Sequence, residues 1–318
     1  MRITVLDGYN LNPGDNSWSE IESLGELTVY NRTPVALVPE RASGAQILLT
    51  NKTPLSAEVL RGLPDLRFIS VLATGYNIVD TAEAARRNIP VSNVPAYGTQ
   101  SVTQHTFALI LELCNSTGLH NQSVHSGDWE ACPDFCYWKS PVIELSGKTL
   151  GVIGGGRIGE AVGALGEAFG MNVWITPSRS GAASRHLGWS EKAMDEIFRE
   201  ADVVTLHCPQ TAANRGFVNR SLLRTMKPGA FLINTARGGL IAEKDLAEAL
   251  QAGWLAGAAV DVVSAEPIRS DNPLLHAVNC IITPHIAWSS LTARRRIMEV
   301  TRGNIAGFLG GKVPNRVN

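Results

Sequence analysis

Thr149-Leu150-Gly151-Val152-Ile153-Gly154-Gly155-Gly156-Arg157-Ile158-Gly159 is the stretch on which the fold turns. An apolar run passes straight into Gly-x-Gly-x-x-Gly, and the residues behind it, 157–169, are rich in Ala, Gly and Leu and read as a helix. Strand, tight turn and helix in that order cradle a dinucleotide pyrophosphate. Gly154 permits the turn, Gly156 lets the backbone approach phosphate, and Gly159 allows close helix–strand packing. The helix N-terminus, opened by Arg157 and Ile158, offers unpaired N–H groups and the positive end of a dipole. Because this fingerprint begins near residue 150, a stretch of domain size precedes it.

Working outward, the 318 residues predict two domains with sizeable cores. Before residue 100, residues 3–6, 27–30, 47–50, 68–72 and 91–93 read as strands. Residues 34–42, 56–61 and 80–87 read as short helices, the last with Asp80 as N-cap. Residues 101–115 form a long apolar helix, followed by an irregular aromatic stretch at 127–141. After the fingerprint, residues 172–176, 203–207, 231–234, 258–261 and 280–283 read as strands, and 292–308 as a final helix. Strands alternating with helices imply α/β architecture with parallel sheets covered on both faces. The two long helices bracket the second unit, so the C-terminal one is expected to return to the first. The cleft between the sheets is then the expected site.

Composition excludes several classes. Apolar residues make up 44% and charged ones 18%, with 28 basic against 29 acidic side chains and a net charge of -1, which advertises neither nucleic acid nor an anionic membrane. Arg294-Arg295-Arg296 reads as a solvated helix face rather than a basic patch. The cysteines, Cys114, Cys132, Cys136, Cys208 and Cys280, form no metal-like pairs, and their odd, scattered placement points to reduced thiols. No apolar run approaches the roughly 20 residues of a membrane span, and the first residues lack a signal-peptide pattern. The expectation is a cytoplasmic protein without a metal.

Three residues at strand ends add chemistry. Arg237 follows Phe231-Leu232-Ile233-Asn234-Thr235-Ala236, Glu266 follows Ala258-Ala259-Val260-Asp261, and His285 follows Ile281-Ile282-Thr283-Pro284. Hydride transfer to a ketone needs a proton donor for the developing alkoxide and a cation for the substrate carboxylate. Histidine suits the first task, with Glu266 to keep it protonated, and the bidentate fork of Arg237 suits the second.

In this order after a glycine fingerprint, the chain resembles the D-isomer-specific 2-hydroxyacid dehydrogenases, and within them the glycerate dehydrogenase (hydroxypyruvate reductase) branch. The motifs are the fingerprint, Asn234-Thr235-Ala236-Arg237-Gly238, Asp261-Val262-Val263-Ser264-Ala265-Glu266-Pro267 and Thr283-Pro284-His285-Ile286-Ala287-Trp288. Leu6-Asp7-Gly8-Tyr9-Asn10, Leu72-Ala73-Thr74-Gly75-Tyr76-Asn77 and Asn93-Val94-Pro95-Ala96-Tyr97-Gly98 match that branch too. The resemblance implies two doubly wound parallel-sheet domains. A Rossmann cofactor domain, 101–287, is inserted in a flavodoxin-like substrate domain of 1–100 plus 288–318. It further implies His285 as acid/base, Glu266 as its partner and Arg237 as the substrate-binding cation. Backbone N–H groups of Ala73, Thr74 and Gly75 would grip the carboxylate. Thr235, Ala236, Asp261 and the Cys208-Pro209 turn would line the cofactor, and a homodimer would form with help from 127–141. The implied substrate is a small 2-oxo or D-2-hydroxy acid such as hydroxypyruvate or glyoxylate, reduced as domain closure excludes water.

The sequence departs from the NAD pattern at one place. An NAD enzyme carries an acid about 20 residues past the glycines. Here that strand ends Thr176-Pro177-Ser178-Arg179-Ser180, with no acid before Glu191. Thr176, Ser178 and Arg179 suit a 2′-phosphate, which favours NADP(H) over the alternative NAD(H). Other readings on the same fold are a nucleotide-sensing corepressor-like protein and a phosphoglycerate, formate or phosphite dehydrogenase.

Overall fold

The computed structural model describes residues 1–177 and 188–318. The chain divides into two compact units, Met1–Gly98 with Ser289–Asn318, and Thr99–Trp288.

The first unit is built on a parallel sheet of β1 (Arg2–Val5), β2 (Glu26–Val29), β3 (Ile47–Thr50), β4 (Phe68–Val71) and β5 (Val91–Ser92), in the order β2-β1-β3-β4-β5. That is the flavodoxin-like winding. Every residue of β3 and β4 is buried, whereas edge strand β2 alternates between exposed and half-buried. The apolar runs are thus central strands covered on both faces. Asp80 caps the helix Thr81–Arg86 by accepting the Glu83 N–H at 2.8 Å. The expected helix at 34–42 is a short 3-10 turn, Val35–Leu37, followed by Val38–Ala42, whose first turn holds Pro39. Proline fits there because its missing N–H has no helical partner to lose.

The final helix, Leu291–Leu309, belongs to this unit. Phe308 stacks on Phe68 of β4 with ring centroids 4.7 Å apart, and Val317 N–H donates to Val91. One expectation fails here. Arg294 is no solvated helix residue: it is 8% exposed and its fork holds Asp15 at 2.5 and 2.7 Å. A guanidinium is buried only when so paired, and the partner lies far away in sequence.

In the second unit β6 (Thr149–Ile153), β7 (Asn172–Ile175), β8 (Ser190–Glu191), β9 (Val203–Leu206), β10 (Phe231–Asn234), β11 (Gly257–Val260) and β12 (Cys280–Ile282) form a parallel sheet ordered β12-β11-β10-β9-β6-β7-β8. β6 lies between β7 and β9, so the winding reverses there. Ligands of such sheets bind outside the carboxyl ends at this switch point. The helix Arg157–Ala168 lies close because its contact residues are small. A Cβ on Gly166 would meet Leu150 at 2.4 Å, and one on Gly163 would meet Trp189 at 2.4 Å.

Candidate active site

The glycine turn follows directly from β6. Gly154 has φ +116°, and a Cβ there would lie 2.7 Å from the His207 carbonyl carbon, just past β9. Only glycine adopts that conformation at that approach. Its N–H donates to Thr176 Oγ1 at 2.8 Å, tying the turn to the end of β7. Gly159 is constrained equally, since a Cβ would lie 2.0 Å from the Gly154 carbonyl oxygen. Gly156 differs. It is the extended residue capping the helix opened by Arg157 and Ile158, and, its chain neighbours aside, no atom of the described residues lies within 4 Å of where its Cβ would point. The turn therefore offers an open approach to backbone N–H groups at a helix N-terminus, which fits an anionic pyrophosphate. Ser178 and Arg179 lie outside the described residues.

Across the sheet, three loops carry the strand-end residues. After β10, buried Asn234 folds the chain back by accepting the Ala236 N–H at 3.0 Å and donating to the Arg237 carbonyl at 2.9 Å. This leaves Arg237 exposed, with Nη1 donating to the Ala236 carbonyl at 2.6 Å. Thr235 is buried and hydrogen-bonds Thr106 of the helix Thr99–Asn115 at 3.0 Å. Gly238 then presses on the loop after β11, where its Cβ would sit 1.9 Å from the Val263 carbonyl carbon.

That loop carries Glu266. Val263 N–H donates to Glu266 Oε1 at 3.2 Å, and Glu266 Oε2 lies 2.6 Å from His285 Nδ1. An ionised carboxylate only accepts, so Nδ1 bears the proton in this pair and Nε2 faces away from Glu266. His285 itself is in the left-handed region, φ +55°, an uncommon conformation for a residue with a side chain. Its N–H donates to the carbonyls of Asp261 at 2.8 Å and Thr283 at 3.0 Å, which holds that conformation.

Asp261 organises the His285 loop from within. Its carboxylate accepts the Thr283 hydroxyl at 2.6 Å and the N–H groups of Ile286 and Ala287, each at 2.9 Å. Burial pushes its pKa up, but bonds from His105, Thr283, Ala287 and Ile286 outweigh burial and hold it below the ordinary value. Because Thr283 donates to Asp261, its oxygen accepts from His105 Nε2 at 3.0 Å, which places the His105 proton on that nitrogen. Sequence reasoning singled out neither His105 nor the roles of Thr283 and Asn234. A lone histidine inside an apolar helix was the available signal.

The remaining expected residues are placed separately. Cys208 is half-buried and Pro209 exposed after β9, with the Pro209 carbonyl bonded by Asn214 at 2.9 Å. In the first unit Ala73, Thr74 and Gly75 form the turn after β4. Val94 N–H and the Asn93 amide bond the carbonyls of Ala73 and Thr74 at 3.0 and 2.8 Å, and Thr74 Oγ1 donates to Val94 at 2.9 Å. Thr74 and Gly75 stay exposed. Among the described residues no group of three metal-type ligands occurs, and no helix is long and apolar enough to cross a membrane.

A Rossmann sheet with an open glycine turn and a carboxylate-paired histidine fits a nicotinamide-dependent oxidoreductase. Residues 107–287 match the family model "D-isomer specific 2-hydroxyacid dehydrogenase, NAD binding domain". The chain is 48% identical to the hydroxypyruvate reductase of Blautia hydrogenotrophica, with both proteins covered completely. It is 38% identical to the glycerate dehydrogenase of Methylorubrum extorquens, covering 99% of this chain and 98% of that protein. Its fold matches a solved acyclic imino acid reductase in complex with NADPH and D-Arg, with TM-score 0.86, 28% identity and complete coverage of both chains. The chain belongs to the D-isomer specific 2-hydroxyacid dehydrogenase family. It is a dehydrogenase that transfers hydride between a nicotinamide dinucleotide and a 2-oxo or 2-hydroxy acid.

Proposed function

We propose that the chain reduces hydroxypyruvate, and the smaller glyoxylate, to the corresponding 2-hydroxy acids, with His285 as acid/base, Glu266 as its partner and Arg237 as the substrate-binding cation. The observation that carries the residue roles is the 2.6 Å bond from His285 Nδ1 to Glu266. With that nitrogen committed, Nε2 passes a proton to the oxygen on C2 while Glu266 stabilises the charged ring. The bound dinucleotide supplies the hydride. Arg237 binds the carboxylate and polarises the 2-oxo group, and Ala73, Thr74 and Gly75 are assigned to substrate binding through their backbone amides. Support for the substrate comes from the relatives named above.

For the cofactor, Gly154, Gly156, Arg157, Ile158 and Gly159 are assigned to the pyrophosphate, and Thr235, Ala236, Asp261, Cys208 and Pro209 to the nicotinamide and adenosine. NADP(H) is preferred through Thr176, Ser178 and Arg179. The lack of an acid after β7 supports this choice, as does the NADPH complex of a similar fold. One observation favours NAD(H) as a second reading: β8 sets Glu191 in register with Ile175, so an acid stands beside the end of β7 after all. Specificity constants for hydroxypyruvate and glyoxylate, each with NADPH and NADH, decide between them. Arg179→Ala is expected to weaken NADPH use about tenfold or more and leave NADH use near wild type. A clear NADH preference in the unaltered enzyme overturns the NADP(H) assignment, and absence of turnover with both acids overturns the substrate assignment.

The same reading includes a homodimer. Trp129, Phe135 and Trp138 are 51%, 90% and 70% exposed on the stretch 127–141, an apolar display that supports burial against a second copy. A sedimentation mass of a single chain removes this part.

A further inference from the structure

Glu243 opens the helix Glu243–Gln251, six positions after Arg237. An acid in a first turn ordinarily serves its own helix dipole. The three hydrogen bonds its carboxylate accepts run elsewhere. Ser264 N–H donates to Oε1 at 2.6 Å, Ser264 Oγ to Oε2 at 2.7 Å, and Asn272 Nδ2 to Oε2 at 3.0 Å. The Asn272 orientation is fixed independently, because its Oδ1 accepts the Leu274 N–H at 3.0 Å. Asn272 is 7% exposed, so this donor is held in place rather than swinging in water.

Ser264 lies between Val263, whose N–H bonds Glu266, and Glu266 itself. On the other side, the loop is pressed by Gly238, the residue after Arg237. One carboxylate therefore ties the segment bearing Arg237 to the loop bearing Glu266. We infer that Glu243 is a positioning residue of the reaction, acting through the Ser264 backbone to hold the Glu266 carboxylate on His285 Nδ1. Charge-assisted bonds to a backbone N–H and a hydroxyl are stronger than neutral ones, so a glutamate there fixes the loop better than a neutral side chain does. A displacement of Glu266 by about 1 Å is enough to cost on the order of a hundredfold in rate.

This inference rests on the role proposed for Glu266, so its test separates the two. Hydroxypyruvate turnover and cofactor affinity are measured for Glu266→Gln, Glu243→Ala and the double variant. Glu243→Ala is expected to lower kcat about tenfold to a hundredfold while cofactor Kd stays within about twofold. In the Glu266→Gln background the same change is expected to cost less than about twofold, because residues acting through one another are not additive. Glu243→Gln, which keeps one acceptor, is expected to recover part of the loss. Ser264→Ala, an exposed change that removes one donor, is expected to lower kcat several-fold, and it carries the test if Glu243→Ala does not fold. Additive losses, or wild-type kcat with only a lowered Tm, overturn the role of Glu243. Wild-type turnover in Glu266→Gln overturns the Glu266 reading instead.

Discussion

His285 and His207 occupy comparable places in one sheet and live under opposite conditions. His207 follows β9 immediately and His285 follows β12 by three residues, both at carboxyl ends. His285 is half-exposed, with Nδ1 on a carboxylate at 2.6 Å and a strained backbone pinned by the Asp261 loop. His207 has Nε2 on a neutral hydroxyl, Thr205 Oγ1, at 2.8 Å. Its residue surface is only partly covered, yet the imidazole is enclosed deeply enough for burial to push its pKa down to about 3. The same side chain at similar fold positions is thus paired with a carboxylate in one place and held neutral at ordinary pH by burial in the other. Residue type and strand end nominate a histidine; only a charged partner and access to solvent give it a proton to move.

The largest effect is expected at His285. Replacing it with Ala is expected to lower kcat by about 10²–10⁴-fold, the usual share of general acid–base catalysis, with cofactor affinity nearly unchanged. Steady-state kinetics and cofactor titration check this together, and wild-type turnover would remove His285 from the mechanism.

A smaller effect is expected from the loop that aims the ring. Thr283→Val deletes the hydroxyl that donates to Asp261 at 2.6 Å and accepts from His105 at 3.0 Å. Leaving buried Asp261 and half-buried His105 short of a partner costs about 1–3 kcal/mol, and kcat is expected to fall several-fold as the loop loosens. Urea denaturation and kcat are read on the same preparation. Lost stability with full kcat would mean that Ile286, Ala287 and the His285 N–H hold the ring without Thr283.

What the sequence made legible follows the same division between backbone and side chain. β3, β4, β9 and β10 are apolar runs because both their faces are buried, and the glycine turn is written in residues that only its φ and close contacts require. β8 left no such trace. Its two residues, Ser190 and Glu191, are exposed, and it exists because its backbone pairs with β7. The helix Thr117–His125 lacked an apolar stripe for a similar reason. Polar bonds help to hold it, among them buried Ser123 with Asp128 and Tyr137, and His120 accepting the Lys139 N–H. Arg237, Glu266 and His285 could be nominated because each follows a strand. Glu243, His105 and Arg294 were not, because their partners lie 21, 178 and 279 positions away and no spacing rule connects them.

The smallest effect on activity, and the sharpest reading of the comparison, is at His207. In the unfolded chain its imidazole binds a proton below about pH 6.5, whereas in the folded protein it does so only near pH 3. Between those values the unfolded state holds more protons, so folding stability rises with pH across the window and levels off above about 6.5. One such group contributes a slope of up to about 1.4 kcal/mol per pH unit. His207→Gln, which keeps a polar group toward Thr205, is expected to retain kcat within about threefold and to lose that contribution to the slope. Urea denaturation of both proteins at pH 5, 6 and 7 measures the difference. Parallel slopes would show that folded His207 takes up a proton as readily as a free imidazole, and the contrast with His285 would then rest on Glu266 alone.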